Sequence, residues 1–102
     1  MSFKPNYESI TCQSGLTVSV QASSRNYCTP KNDVGPYTEV ELGFPSMADD
    51  LIMPYAENPQ DPTGTVYGWV PTSVLFQLFT KHGGIVSGEL PPTNMAPCTR
   101  GT

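Results

Sequence analysis

The sequence predicts an α+β fold: an antiparallel sheet of about four to five strands with one helix packed on one face. Three observations predict it. Residues 16–22 and 37–44 each alternate apolar and polar side chains, the mark of half-buried strands. The run GTVYGWVPTSVLFQLFTKHGG, residues 64–84, reads as a strand, a proline, a helix and a glycine stop. Strands therefore come first and a single helix comes late, and the apolar side of the sheet needs that helix as its cover.

In chain order, residues 7–12 alternate weakly and read as a first strand. Gln13, Ser14 and Gly15 form a hairpin loop, with Gly at the turn. Leu16, Val18, Val20 and Ala22 then share one face of a strand, with Thr17, Ser19 and Gln21 on the other. Residues 23–36 are rich in turn formers and show no apolar period. Connections of that length are uncommon in compact domains and are often functional; the alternative is a passive Ω-loop held by Tyr27. Val40, Leu42 and Phe44 face one side of the next strand, which Pro45 ends. Residues 51–55, cut by Pro54, read as an edge strand, and residues 56–64 as a turn region.

In residues 65–70, Val66 and Val70 lie opposite Tyr67 and Trp69. Both faces are bulky, so this strand should be central or covered on both sides. Pro71 suits the first turn of a helix over residues 71–82. Val74, Leu75, Leu78 and Phe79 form its buried face, with His82 on the same arc one turn later. Gly83 supplies a left-handed cap. Residues 85–90 read as a short returning strand.

The 102 residues are one domain by length, expected as a unit over 1–90 with a flexible tail over 91–102. The formal charge is −4 and the five Lys and Arg are scattered, so nucleic-acid binding is not expected. No apolar run is long enough to span a bilayer, and the opening residues show no leader, so a cytoplasmic location and no membrane contact are expected. Cys12, Cys28 and Cys98 include no CxxC pair and match no zinc spacing; they read as reduced thiols, and a Cys12–Cys28 bridge would require a secreted protein. Neither a metal nor a cofactor is expected.

His82 is the natural suspect for acid–base work, but no triad can be assembled around it from the sequence, so it reads as a helix-end residue. Cys28 stands between Arg25 and Lys31, cations that can lower a thiol pKa; the plainer reading is a small side chain anchoring its loop. Asp49, Asp50, Glu57 and Asp61 read as a solvated acidic rim that could meet a basic partner. Most of Tyr27, Tyr37, Tyr55, Tyr67, Trp69, Phe76 and Phe79 must fill the core. Phe76 is the exception. It lies more than about 100° from the centre of the buried helix face and should sit at a boundary or in solvent.

The phrases LTVSVQAS, GPYTEVELGFPS, LIMPYAE and PTGTVYGWVP, with a helix ending KHGG, together resemble small accessory proteins of tailed bacteriophages. The resemblance spans residues 16–84 and brings no catalytic residues with it. It implies a class that binds and blocks a host protein, anti-defence and anti-CRISPR inhibitors included. The expectation is therefore a stoichiometric binding protein rather than an enzyme, with Arg25, Tyr27, Lys31 and Phe76 as contacts and a host protein as partner. The alternative is a homo-oligomeric small-molecule or nucleotide-binding sponge, with Arg25, Lys31 and the aromatics lining a pocket. A Cys28 or His82 enzyme and a minor virion component rank lower.

Overall fold

The computed structural model describes residues 7–94. Five strands form one antiparallel sheet: β1 (Ile10–Cys12), β2 (Thr17–Gln21), β3 (Glu39–Gly43), β4 (Val66–Pro71) and β5 (Ile85–Ser87). Their spatial order is β4-β3-β2-β1-β5. One helix, α1 (Thr72–Lys81), follows β4 without a linker. This is the α+β class that the alternation implies.

The register follows from burial. β2 pairs β3 with Val20 opposite Leu42. Val18, Val20, Val40 and Leu42 are all buried to within 1%. A slip of one residue would turn this whole set to solvent. The β1–β2 hairpin closes at Gly15, whose φ of 100° excludes most side chains. Its N–H donates to the Cys12 carbonyl, and the Cys12 N–H to that of Leu16.

Several elements differ from the sequence reading. Residues 51–55 are not an edge strand: Met53–Tyr55 is a short 3-10 helix. The cause is Asp49. Its Oδ1 accepts the Leu51 N–H at 2.9 Å, and its carbonyl accepts from Ile52 and Met53. That side-chain turn starts a helical bend, which Pro54 can join because an early helical residue needs no N–H. Pro71 belongs to β4, opposite Glu39, and α1 begins one residue later at Thr72. The helix ends as expected: Gly83 has φ 88° and donates to the Thr80 carbonyl.

The buried arc of α1 is Thr72, Leu75, Phe76, Leu78 and Phe79. At about 100° per residue it spans roughly 160°, wider than the stripe read from Val74, Leu75, Leu78 and Phe79 alone. It is rotated so that Val74 moves to the flank and Phe76 moves in. Phe76 is only 8% exposed and meets Phe79 edge-on at 6.0 Å. Its expected place at a solvent boundary, the ground for reading it as a binding contact, is corrected.

Residues 91–94 are not a loose tail. Tyr37 donates its N–H to the Pro92 carbonyl at 2.8 Å, and its own carbonyl accepts the Asn94 N–H at 2.9 Å. Thr72 Oγ1 bonds Asn94 Oδ1 at 2.8 Å, and Pro91 is buried. The remainder of the expected tail lies outside the described residues. No described helix is long and apolar enough to cross a membrane.

Candidate functional site: an exposed aromatic stack and a Ser–His–Asp array

Trp69 is the residue that the sequence reading placed least well. On β4 it should share a covered face with Tyr67. A β-bulge intervenes. Val40 pairs Val70 and Leu42 pairs Tyr67, so the single residue Glu41 stands opposite both Gly68 and Trp69. The extra residue breaks the alternation. Tyr67 and Val70 both point into the core at 0% exposure, and Trp69 turns out at 49%. Its φ is 51°, a left-handed conformation that costs a non-glycine residue about 1–3 kcal/mol.

The long loop over residues 23–36 reaches this bulge. Tyr27 stacks on Trp69 with ring centroids 4.9 Å apart and planes 23° from parallel. The Trp69 N–H donates to the Tyr27 carbonyl at 3.0 Å. Gly68 makes the approach feasible, since a Cβ there would lie 3.2 Å from the Cβ of Tyr27. Lys31 holds its ammonium 5.7 Å from the Tyr27 ring centroid and donates to the Asn26 carbonyl. Glu41 Oε1 accepts from Asn26 Nδ2 at 2.7 Å and from the Tyr27 N–H at 3.2 Å. Farther along, Thr29 bridges to Glu39, and the Tyr37 hydroxyl donates to the Asn32 carbonyl.

The loop is thus fixed at several points, and Tyr27, Lys31 and Trp69 are displayed together. Arg25 is exposed on the same loop, and its guanidinium has no hydrogen-bond or ion-pair partner among the described residues. Of the four binding residues read from the sequence, Tyr27 and Lys31 are brought together, Arg25 shares their loop, and Phe76 is in the core.

Cys28 is buried, and its thiol donates to the Ser23 carbonyl at 3.1 Å. Burial pushes the thiol pKa up, which outweighs that hydrogen bond and the charge of Lys31. This is an anchoring side chain, not an activated one. Cys12 is also buried and free, so no bridge joins the two.

A second constellation lies where the β1–β2 turn meets the end of α1. His82 Nδ1 is 2.7 Å from Ser14 Oγ, and His82 Nε2 is 2.8 Å from Asp49 Oδ2. Lys81 Nζ lies 3.1 Å from both Asp49 oxygens. The Asp49 side chain is only 3% exposed. It is therefore not part of a solvated rim, whereas Asp50, Glu57 and Asp61 are exposed. Burial pushes the Asp49 carboxyl up, but His82, the Leu51 N–H and Lys81 hold it below its ordinary value in balance. The structure thus supplies His82 with two partners that the sequence did not reveal. They sit 68 and 33 residues away along the chain.

Among the described residues, no group of three or more His, Cys, Asp or Glu side chains is gathered to hold a metal. Comparison with protein-family models, with curated proteins and with solved structures found no match.

Proposed function

We propose that this chain works by stoichiometric binding to another protein, with the Tyr27–Trp69 stack and its loop as the contact surface. One observation carries the reading: a large aromatic is held out in solvent by a left-handed backbone that the fold must stabilise from elsewhere. The Tyr27 stack covers one part of the ring, and about half of the Trp69 side chain stays open to solvent. An exposed Trp backed by a Tyr, with the Lys31 ammonium over the Tyr ring, offers residue types that dominate protein–protein contacts. The resemblance to phage accessory proteins extends the proposal to a bacterial host factor, bound and blocked in the host cytoplasm. The absence of a basic stripe supports a protein partner over nucleic acid.

A second reading, capture of a small planar ligand, is favoured by the same stack, since a flat ring could lie on the free surface of Trp69. The test is affinity capture from host lysate with the wild-type chain and with Trp69→Asn, followed by calorimetry on whatever is retained. The binding reading expects a partner held by wild type and weakened at least tenfold, about 1.4 kcal/mol, by the substitution. Equal retention by both would remove the stack from the interface.

A further inference from the structure

We propose that Ser14 is a nucleophile, activated by His82 and oriented by Asp49, that takes an acyl group from small activated esters. The inference is independent of the binding reading above. It rests on the geometry at the β1–β2 turn.

An ionised carboxylate can only accept, so Asp49 fixes the proton of the neutral imidazole on Nε2. The Nδ1 lone pair then faces the Ser14 hydroxyl at 2.7 Å. That is a base in line with its nucleophile and held by a third group. The two ring nitrogens are exchanged relative to the familiar serine-hydrolase arrangement, but either can carry the proton. Lys81 and the Leu51 N–H keep Asp49 in place. Ser14 is exposed. A Cβ added at Gly15 or at Gly84 would meet no atom within 4 Å.

The donors around Ser14 define what the site can accept. The Gln13, Ser14 and Gly15 N–H groups are bound to the carbonyls of Gly84, His82 and Cys12, and the Leu16 N–H points at Ser14 Oγ itself. The backbone therefore offers no oxyanion hole. The side chain next to Ser14 in the chain that could supply a donor is the exposed Gln13 carboxamide. Its stem packs against Gly83, where a Cβ would lie 2.9 Å from that of Gln13. A single flexible donor suits esters with good leaving groups, whose transition states need less help.

The step is balanced without any co-reactant. Ser14 Oγ bonds to the acyl carbon, and its proton passes to His82 Nδ1. The bond to the leaving oxygen breaks, and that oxygen departs with the proton. Water activated by the same imidazole then returns the acyl group as a carboxylic acid and restores Ser14. Weak oxyanion support slows both stages, but only the first is helped by a good leaving group, so with an activated ester acyl-Ser14 accumulates.

The test uses the full chain and 4-nitrophenyl acetate. The expected result is a burst of nitrophenolate approaching one per chain, with the acetyl group mapped to Ser14 by peptide mass spectrometry. Ser14→Ala, on an exposed turn, should remove it. His82→Gln should slow it about a hundredfold or more. Asp49→Asn should slow it, and Asp49→Glu should recover part of the rate, which a purely structural role would not give. Gln13→Ala should slow it about tenfold. Acetyl found on Lys81, His82 or another site in place of Ser14 overturns the proposal, as does a burst that survives in Ser14→Ala. If His82→Gln does not fold, the Ser14→Ala comparison decides alone.

Discussion

The aromatic stack and the Ser14–His82–Asp49 array solve opposite problems. Around Trp69 the backbone is strained and the side chain is left in water. Around His82 the backbone is satisfied, and the polar groups are drawn together with Asp49 almost out of water. The first region holds a strained residue with its ring half exposed; the second ties the β1–β2 turn, the stretch before the 3-10 helix and the end of α1 into one network. The contrast teaches that local strain and local satisfaction are read differently. A strained residue with its ring half in water asks what lies outside the fold, while a satisfied network first explains how the fold holds.

Both regions hang on α1, since β4 delivers Trp69 directly before it and His82 caps its end. The largest expected effect therefore comes from the helix. Leu78→Ala, at a fully buried site, should cost about 2–5 kcal/mol and disturb both regions. Phe76→Ala should cost about 3–5 kcal/mol, a loss read in a thermal melt rather than in partner affinity. A melt unchanged by either substitution would mean that the helical face is wrong.

Next comes the polar region. Asp49→Ala removes the acceptor shared by His82, Lys81 and the Leu51 N–H, and should cost about 1–3 kcal/mol. Lys81 is half exposed and can rehydrate, which keeps the figure below that for a fully buried pair. The pH dependence follows from the depressed Asp49 pKa. The folded carboxyl binds its proton less readily than the unfolded one. Its stabilisation is present above the unfolded pKa, about 4, and is lost as pH falls through the folded value. Acid titration of wild type against Asp49→Asn should show that loss only in wild type.

Tyr37 gives the alkaline counterpart. Burial first, then the charges of Tyr7, Cys28 and Asp33, push its pKa up to about 12. Stability from keeping this phenol neutral is complete below the unfolded value, near 10, and is lost as pH rises through 12. Tyr37→Phe should flatten that limb in chemical denaturation curves measured against pH.

The smallest effect on stability and the largest on binding should coincide at Trp69. Asn tolerates a left-handed backbone, so Trp69→Asn should shift stability by no more than about 1 kcal/mol. A large destabilisation would show the ring to be a structural prop and would remove the contrast between the two regions.

The sequence carried the strands because their alternation is local: Val18, Val20, Val40 and Leu42 mark the core face without any knowledge of their partners. It also carried the Gly83 cap, which depends on one residue type at one place. The bulge at Gly68 and Trp69 was hidden, because a period-two reading assumes that every residue on a strand has one opposite. The 3-10 helix at Met53–Tyr55 was hidden too, since Asp49 competes locally with the strand preference of Leu51 and Ile52. In the candidate site, the loop and Tyr27 were legible from composition and length. The array was not, because Ser14, Asp49 and His82 meet only through the packing of three distant segments, and Ser14 in isolation is an ordinary turn residue.

The pairing of Tyr37 with residues 92–94 limits how far this chain can be trimmed from its C-terminal side. A cut after residue 90 would strip Tyr37 of partners for both its N–H and its carbonyl, and would take Asn94 from Thr72 at the first turn of the helix. Each orphaned buried group carries a penalty of about 1–3 kcal/mol, a large share of what a domain this size can spare. An expression fragment, a fusion junction or a protease-trimmed core should therefore reach at least residue 94, even though Pro91 and Pro92 look from the sequence like the natural place to stop.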